Sequence, residues 1–193
     1  MRFTLATVLG DALLTVEPAA DPTAADNGPA QAAGMLHLAS AQLSSRERRG
    51  GDADAHLAQA AELARYTDEC NDLNFHFGAG NVAAWSVAIG VELERGPEAA
   101  ERITPDVPQL AAVLSSADRR SGLHFDIARG WAQAGGDRDS EAIRYLDAAE
   151  RIAPTRIRND PIARDLVLTL DRRAARRVWE LDSLRNRFGL GKG

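Results

Sequence analysis

Polar and aromatic side chains at helical spacing are the residues of this 193-residue sequence that could bind a ligand. Asn81, Trp85 and Glu92 follow one another on or near one side of a predicted helix, and Phe77 lies at its start. An asparagine amide donates and accepts hydrogen bonds at once, so it can hold a peptide backbone on the inner face of a helical array. The alternative is that Phe77 and Trp85 are core residues and that Asn81 caps or bridges the start of the helix. The sequence leaves both interpretations open.

A second polar stripe lies further along the chain. Asp126, Arg129 and Gln133 are spaced three and then four residues apart, which places them on one side of a helix, and His124 is nearby. Such a stripe could line a binding groove. The competing interpretation is an Asp126–Arg129 pair on a solvated face, which would contribute only a few tenths of a kcal/mol. From the sequence we favour the solvated face.

Catalytic and metal-binding patterns are missing from the sequence. The four histidines are scattered over different segments and form neither an H-x-x-x-H nor an H-E-x-x-H pair. Ser121 and His124 lack a nucleophile elbow, and Gly78-x-Gly80 lacks the preceding strand and third glycine of a dinucleotide loop. The single cysteine, Cys70, has no neighbouring base. We therefore predict a protein that is not an enzyme and that needs no metal or cofactor.

Positive charge is concentrated at the end of the chain. Residues 155–193 contain ten Lys and Arg against five Asp and Glu, a balance of +5 in a chain of net charge −5, which leaves −10 for residues 1–154. Contact with nucleic acid would use exposed arginines of this segment, and the candidates are Arg172, Arg173, Arg176 and Arg177. No aromatic or glycine motif accompanies them, so we favour a solvated basic helix end that the helix dipole stabilises.

Composition and periodicity predict an all-α fold. Alanine is abundant, aromatic residues make up only 5% of the chain, and no sustained period-2 alternation occurs. Residues 1–29 are expected to form an N-terminal helix and a Pro/Ala/Asp-rich linker, and residues 30–193 a helical domain. Helices are predicted over residues 3–16, 30–48, 53–66, 77–94, 98–103, 116–134, 139–152, 161–177 and 180–188.

Glycines, prolines and aspartates mark the predicted helix ends. Gly50-Gly51 is expected to end the second helix, and Asp52 to cap the third. The prolines between residues 104 and 115 predict a loop, and Pro154 is expected to stop the helix before it. A single cysteine fits a reducing compartment, and no segment approaches the ~20 apolar residues that span a membrane. The expected location is the cytoplasm.

A weak internal repeat organises the predicted helices. The positions of small and apolar residues in one helix match the second half of a tetratricopeptide repeat, and an earlier helix echoes them at a constant offset. The later set is Ala142, Leu146, Ala149 and Pro154, and the earlier set is Ala53, Leu57, Ala60 and Leu63. We therefore predict antiparallel helix pairs that stack as a short tetratricopeptide-like solenoid.

Several local strings add a family resemblance. They are FHFGAGNVA at 75–83 with VELERG at 91–96, HFDIARG at 124–130, AAERIAP at 148–154, and Pro161, Arg164 and LRNRFG at 184–189. Together they resemble the tetratricopeptide-repeat regions of actinobacterial helix-turn-helix transcription regulators of the lambda-repressor-like type, over about residues 52–189. In that family a DNA-binding module precedes the repeats, and the repeats sense a ligand or mediate contacts.

The resemblance implies a ligand- or peptide-sensing or protein-interaction domain of a bacterial transcription regulator. The expected partner is a protein, a peptide or a small-molecule effector, and ligand binding on the concave face would change the curvature of the solenoid or its homodimer contacts. No helix-turn-helix pattern is found in these residues, so we do not expect them to read DNA directly. The alternatives are a scaffold or oligomerisation module that senses nothing, and nucleic-acid contact through the basic end of the chain.

Overall fold

A computed structural model describes residues 4–24, 26–67, 76–176 and 178–191. Within these ranges the secondary structure is helical, and no β-strand is present. The predicted all-α class is therefore confirmed. None of the described helices is both long enough and apolar enough to cross a bilayer. The helices are α1 (Leu5–Val16), α2 (Gly28–Arg46), α3 (Gly50–Ala64), α4 (Ala79–Glu92), α5 (Gly96–Ile103), α6 (Val107–Val113), α7 (Ala117–Ala134), α8 (Asp139–Ile152), α9 (Pro154–Asn159), α10 (Pro161–Arg173) and α11 (Trp179–Arg187).

The largest departures from the predicted helix pattern occur at prolines. The region 104–115, predicted as a loop, contains a short 3₁₀ turn and then α6, and Pro154 both follows α8 and begins α9. Proline fits the first turn of a helix, because its missing N–H is not needed there and its φ is already helical. The same property places Pro29, predicted as the end of the linker, in the first turn of α2.

The start of α3 differs from the prediction that Asp52 caps it. The helix already begins at Gly50, so Asp52 lies in its first turn and pairs with Arg49 instead of bonding a backbone N–H. A carboxylate in the first turn still interacts favourably with the positive end of the helix dipole. The glycine pair therefore opens α3 rather than ending α2.

Helices α2 and α3 form one antiparallel pair. Ala41, late in α2, shares a buried cluster with Ala53, early in α3, while Leu38 packs with Ala60 and Ala64 further along α3. The alanines let the two backbones approach closely. Gly34 in α2 instead makes room for the ring of Phe77, since a Cβ atom there would lie 2.1 Å from the Cζ atom of that ring.

Helices α7 and α8 form a second antiparallel pair. The hydroxyl of Ser121, near the start of α7, donates to the carbonyl oxygen of Ala149, near the end of α8, at 2.9 Å. The turn between them uses Gly135 at φ 66°, a conformation that favours glycine. Ala142 and Leu146, two of the predicted repeat positions, are fully buried in this pair.

Helix α4 connects two hydrophobic cores. Val87 belongs to the main core, which extends through α5, α7, α8, α10 and α11, whereas Val82 packs in the smaller core with α2 and α3. Ile89 joins Ala41 and Ala53 in a third small cluster. A helix buried on several sides shows little amphipathic periodicity, which is why the sequence segment reads as almost uniformly apolar.

The C-terminal helices are attached by arginines. Glu150 on α8 is 1% exposed and pairs with Arg158 of α9 and with Arg187 of α11, whose Nε lies 2.9 Å from a carboxylate oxygen. Arg187 also pairs with Asp147, and Arg185 pairs with Asp171 of α10. The positive excess of residues 155–193 is therefore compensated in part by carboxylates of α8, which pair with arginines of α9 and α11.

Candidate ligand-binding groove

A groove of about 340 Å³ lies between α2, α4 and α7, and the α9–α10 turn closes one side. Its volume is within the range of small-molecule sites, ~300–1,000 Å³. Each of the three helices contributes one row of residues that faces the groove. The lining residues are Gln42, Arg46, Asn81, Ala84, Trp85, Ala88, Glu92, Asp118, Arg119, Gly122, Leu123, Phe125, Asp126, Arg129, Arg156, Asp160 and Ile162.

Asn81 lies in the wall of the groove with an unused hydrogen-bond acceptor. The residue is 0% exposed, and its Oδ1 has no hydrogen-bond partner among the described residues. Its Nδ2 lies 3.7 Å from the sulfur of Met35, which is a weak acceptor. The N-cap of α4 is Gly78, and no side chain caps the helix, so the alternative that Asn81 is a cap is wrong. A buried amide oxygen without a partner is costly and calls for an explanation such as a bound group.

Trp85 is both a core residue and a groove residue. One side of its ring packs against the small cores of α2 and α3, while the guanidinium carbon of Arg119 lies 5.7 Å from the ring centroid. Its Nε1 is buried and has no acceptor among the described residues. The interpretation of Trp85 as a core residue is therefore correct in part, while its contact with a ligand stays a prediction. The indole N–H of Trp85 is thus a second buried polar atom without a partner among the described residues, in a residue that lines the groove.

Arg129 joins the two polar stripes that the sequence analysis treated separately. Its guanidinium group lies 2.9 Å from Asp126 Oδ1 on the same helix and 2.7 Å from Glu92 Oε1 on α4. The side chains of Asp126 and Arg129 are only 18% exposed, and that of Glu92 is 23% exposed. This is not the solvated face that the sequence favoured, because packing of α4 on α7 removes the pair from water.

Burial sets the protonation of this cluster. It raises the pKa of Asp126 from its ordinary value of 3.8 to about 6, although Arg129 and Arg156 act in the opposite direction. The negative charge of Glu92 adds to the increase. Asp126 therefore loses its proton as the pH rises through about 6, and the charge of the groove changes there.

Three predicted site residues have their contacts outside the groove. Phe77 is fully buried against Gly34, so it is a packing residue. The ring of His124 is tilted against Tyr145, with 5.7 Å between the centroids. Gln133 accepts a hydrogen bond from the backbone N–H of Gly96 and donates one to the carbonyl of Val91, and these bonds attach α7 to the α4–α5 turn.

Three groove residues, Arg119, Gly122 and Arg156, were not predicted from the sequence. Arg119 and Gly122 precede Asp126 by seven and four residues, so they continue the stripe of Asp126 and Arg129 toward the start of α7. Extending the stripe in that direction would have found them. Arg156 had no such signal, because it lies on α9, a single-turn helix inside a region where the proline predicted an end.

The candidate nucleic-acid residues lie at the end of α10. Arg172 donates to Thr169 Oγ1, Arg173 donates to the carbonyl oxygen of Ala132, and Arg176 is exposed beyond the helix. Arg177 lies outside the described residues. No group of metal-ligating side chains occurs within the described ranges.

Comparison with known proteins gives no relative, since no protein-family model, no curated protein and no solved structure matches the chain.

Proposed function

We propose that this chain is a ligand- or peptide-sensing helical-repeat domain of a bacterial transcription regulator, and that its ligand binds in the groove between α2, α4 and α7. The observation that carries the proposal is the presence of Asn81 and Trp85 in the groove wall, each with a buried polar atom that has no partner within the described residues. A ligand that offers a donor and an acceptor would satisfy both atoms, and because neither atom is exposed to solvent, its binding requires the side chains of the groove wall to move.

The repeat architecture is part of the same proposal. The pairs α2–α3, α4–α5 and α7–α8 are taken as three tetratricopeptide-like units, and in each pair it is the first helix that lines the groove. A stack of such pairs presents its first helices on one extended surface, which is where repeat proteins bind their partners. Ligand contact with all three first helices would favour one curvature of the stack over another.

A test of this proposal is native mass spectrometry of the protein purified from its own host. We expect a small molecule or peptide to accompany the wild-type chain and to be lost, by at least tenfold in occupancy, from the variants Asn81→Ala and Trp85→Ala. The matched controls are Asn186→Ala and Trp179→Ala, which replace exposed residues of the same types on α11. They are expected to retain the ligand.

Folding is monitored in each variant by circular dichroism and thermal unfolding. Trp85→Ala removes part of a small core, so Trp85→Phe is included because it keeps an aromatic ring in the core while it removes the indole N–H. Equal ligand occupancy in Asn81→Ala, Trp85→Phe and both control variants would contradict the placement of the site.

The scaffold alternative makes a different prediction about the same groove. A module that only stacks its helices is expected to fill its concave face with its own side chains or with a second subunit. The groove between α2, α4 and α7 is open and has unpaired polar atoms, which supports the sensing proposal. A bare protein of defined oligomeric mass in the native spectrum would favour the scaffold instead.

Nucleic-acid contact is less well supported. Several arginines of the terminal segment are already paired with carboxylates, including Arg158, Arg185 and Arg187. The exposed Arg172 and Arg176 remain as candidates. DNA affinity that falls steeply with salt and disappears in an Arg172→Glu, Arg176→Glu double variant would favour this alternative.

A further inference from the structure

Of the four arginines that line the groove, only Arg129 has a carboxylate partner among the described residues. Arg46 of α2 is exposed and lies on another helix, so the pair of interest is Arg119 and Arg156. No carboxylate of the described residues lies within 4.0 Å of the guanidinium nitrogens of Arg119 or Arg156. The guanidinium group of Arg156 instead donates to the backbone carbonyl of Asp118, and that of Arg119 lies over the ring of Trp85. This differs from Arg129 in the same groove, which is held by two carboxylates.

The two cations lie close to each other. Arg156 reaches across from α9 so that its guanidinium nitrogens are 3.6 and 3.7 Å from the position of a Cβ atom on Gly122, one helical turn beyond Arg119. Burial lowers the pKa of Arg119, and the charge of Arg156 lowers it further. Arg156 is exposed, whereas Arg119 is half-buried. A positive charge that is partly removed from water beside a second positive charge costs free energy unless an anion lies close to both.

The groove therefore has two electrostatically different ends. At one end Arg129 is compensated by Asp126 and Glu92. At the other, Arg119 and Arg156 are left with donor atoms that no carboxylate uses. Guanidinium groups match the oxygens of a carboxylate or phosphate in pairs of parallel hydrogen bonds, and they do so most strongly where water is excluded.

We infer that the ligand of this groove carries an oxyanion, a carboxylate or a phosphate, and that this group binds between Arg119 and Arg156 above the ring of Trp85. The inference rests on the proposed function, because it concerns the chemistry of the ligand in the same groove. The uncharged part of the ligand then extends toward Asn81 and the compensated end.

The experiment is a calorimetric titration of the full chain with two simple probes, inorganic phosphate and succinate, with sodium chloride at equal ionic strength as the blank. We expect at least one probe to bind the wild type and to bind at least tenfold more weakly to Arg119→Gln and to Arg156→Gln. The matched control is Arg102→Gln, which removes an exposed arginine of α5 outside the groove and should leave the affinity unchanged.

The two probes distinguish the source of the anion. Binding of phosphate alone supports a phosphorylated ligand, binding of succinate alone supports a carboxylate ligand, and binding of both supports the oxyanion site in its general form. The inference is overturned if neither probe binds, or if Arg119→Gln and Arg156→Gln bind as Arg102→Gln does.

Native mass spectrometry of the Arg119→Gln, Arg156→Gln double variant distinguishes a failure of the oxyanion site from a failure of the proposed sensing function. A molecule that accompanies the wild type and remains on the double variant would overturn the oxyanion site and leave the sensing function intact. A wild-type protein that carries no molecule and binds neither probe would overturn both.

Discussion

The pKa of Asp126 is raised to about 6, so its side chain is mostly protonated and neutral at pH 5. Its burial between α4 and α7 outweighs the attraction of Arg129 on its own helix and of Arg156 on α9, and Glu92 from α4 repels the carboxylate. Because its pKa in the folded state, about 6, lies above the ordinary value of 3.8, the folded state binds the proton more tightly. Its contribution to stability is therefore complete below about pH 4 and is lost as the pH rises through 6.

The asparagine in the variant Asp126→Asn resembles the protonated aspartate. We therefore expect the variant not to lose free energy of unfolding as the pH rises through 6. At pH 7 it should be more stable than the wild type by on the order of 1–3 kcal/mol, and the difference should vanish toward pH 4. Urea unfolding at pH 4, 5.5 and 7 measures the free energy of unfolding of both proteins. The control is Asp165→Asn at an exposed site on α10. A stability difference for Asp126→Asn that stays constant over this range would contradict the argument.

At the scale of the helices, a pair of histidines connects α1 to the rest of the fold. His37 on α2 lies 3.0 Å from Glu17, which follows α1, and its Nδ1 lies 3.0 Å from Nδ1 of His56 on α3. Only one proton fits between those two nitrogens. Burial lowers the pKa of His37, and the charge of His56 lowers it further, against the attraction of Glu17. The stability that the neutral His37 provides is therefore present above its ordinary value near 6.5 and is lost as the pH falls.

We expect acidification from pH 7.5 to 5.5 to loosen the packing of α1 against α2. Amide hydrogen exchange should report a greater loss of protection in α1 and α2 than in α7 and α8, because the second pair lies outside the histidine contact. His37→Gln, which does not titrate, should show weaker protection of α1 at both pH values and little change between them. An equal loss of protection with pH in the wild type and in His37→Gln would contradict this role.

The helices also show how far the sequence could predict the site. Periodicity correctly predicted that Asn81, Trp85, Asp126 and Arg129 lie on helices, because a long segment with a clear helical period of apolar residues rarely forms another structure. It could not predict that Glu92 meets Arg129, since that contact depends on how α4 crosses α7. The short helices α6 and α9 were not predicted, because the sequence does not distinguish a proline in the first turn of a helix from a proline that ends one.

Helix α4 makes the two cores depend on each other. Its residues pack both into the main core and into the small cores of α2 and α3, and the groove lies where these cores meet. The crossing of α5 and α7 is equally tight, since a Cβ atom on Gly130 would lie 2.6 Å from the carbonyl oxygen of Gly96. Loss of either core therefore removes the packing that orders α4 for the other.

We expect this shared helix to make unfolding a single cooperative transition, and two of the three tryptophans report on it separately. Trp85 packs against the small cores and Trp131 lies in the main core, whereas Trp179 is exposed. The double variant Trp131→Phe, Trp179→Phe keeps only Trp85, so its fluorescence follows the small cores of α2 and α3. The double variant Trp85→Phe, Trp179→Phe keeps only Trp131, so its fluorescence follows the main core. In each variant, the urea midpoint of the fluorescence curve should agree with the midpoint of the circular dichroism curve of the same variant. If fluorescence of Trp85 changed at a lower urea concentration than the circular dichroism of the same variant, α2 and α3 would unfold first, and α4 would not couple the two cores.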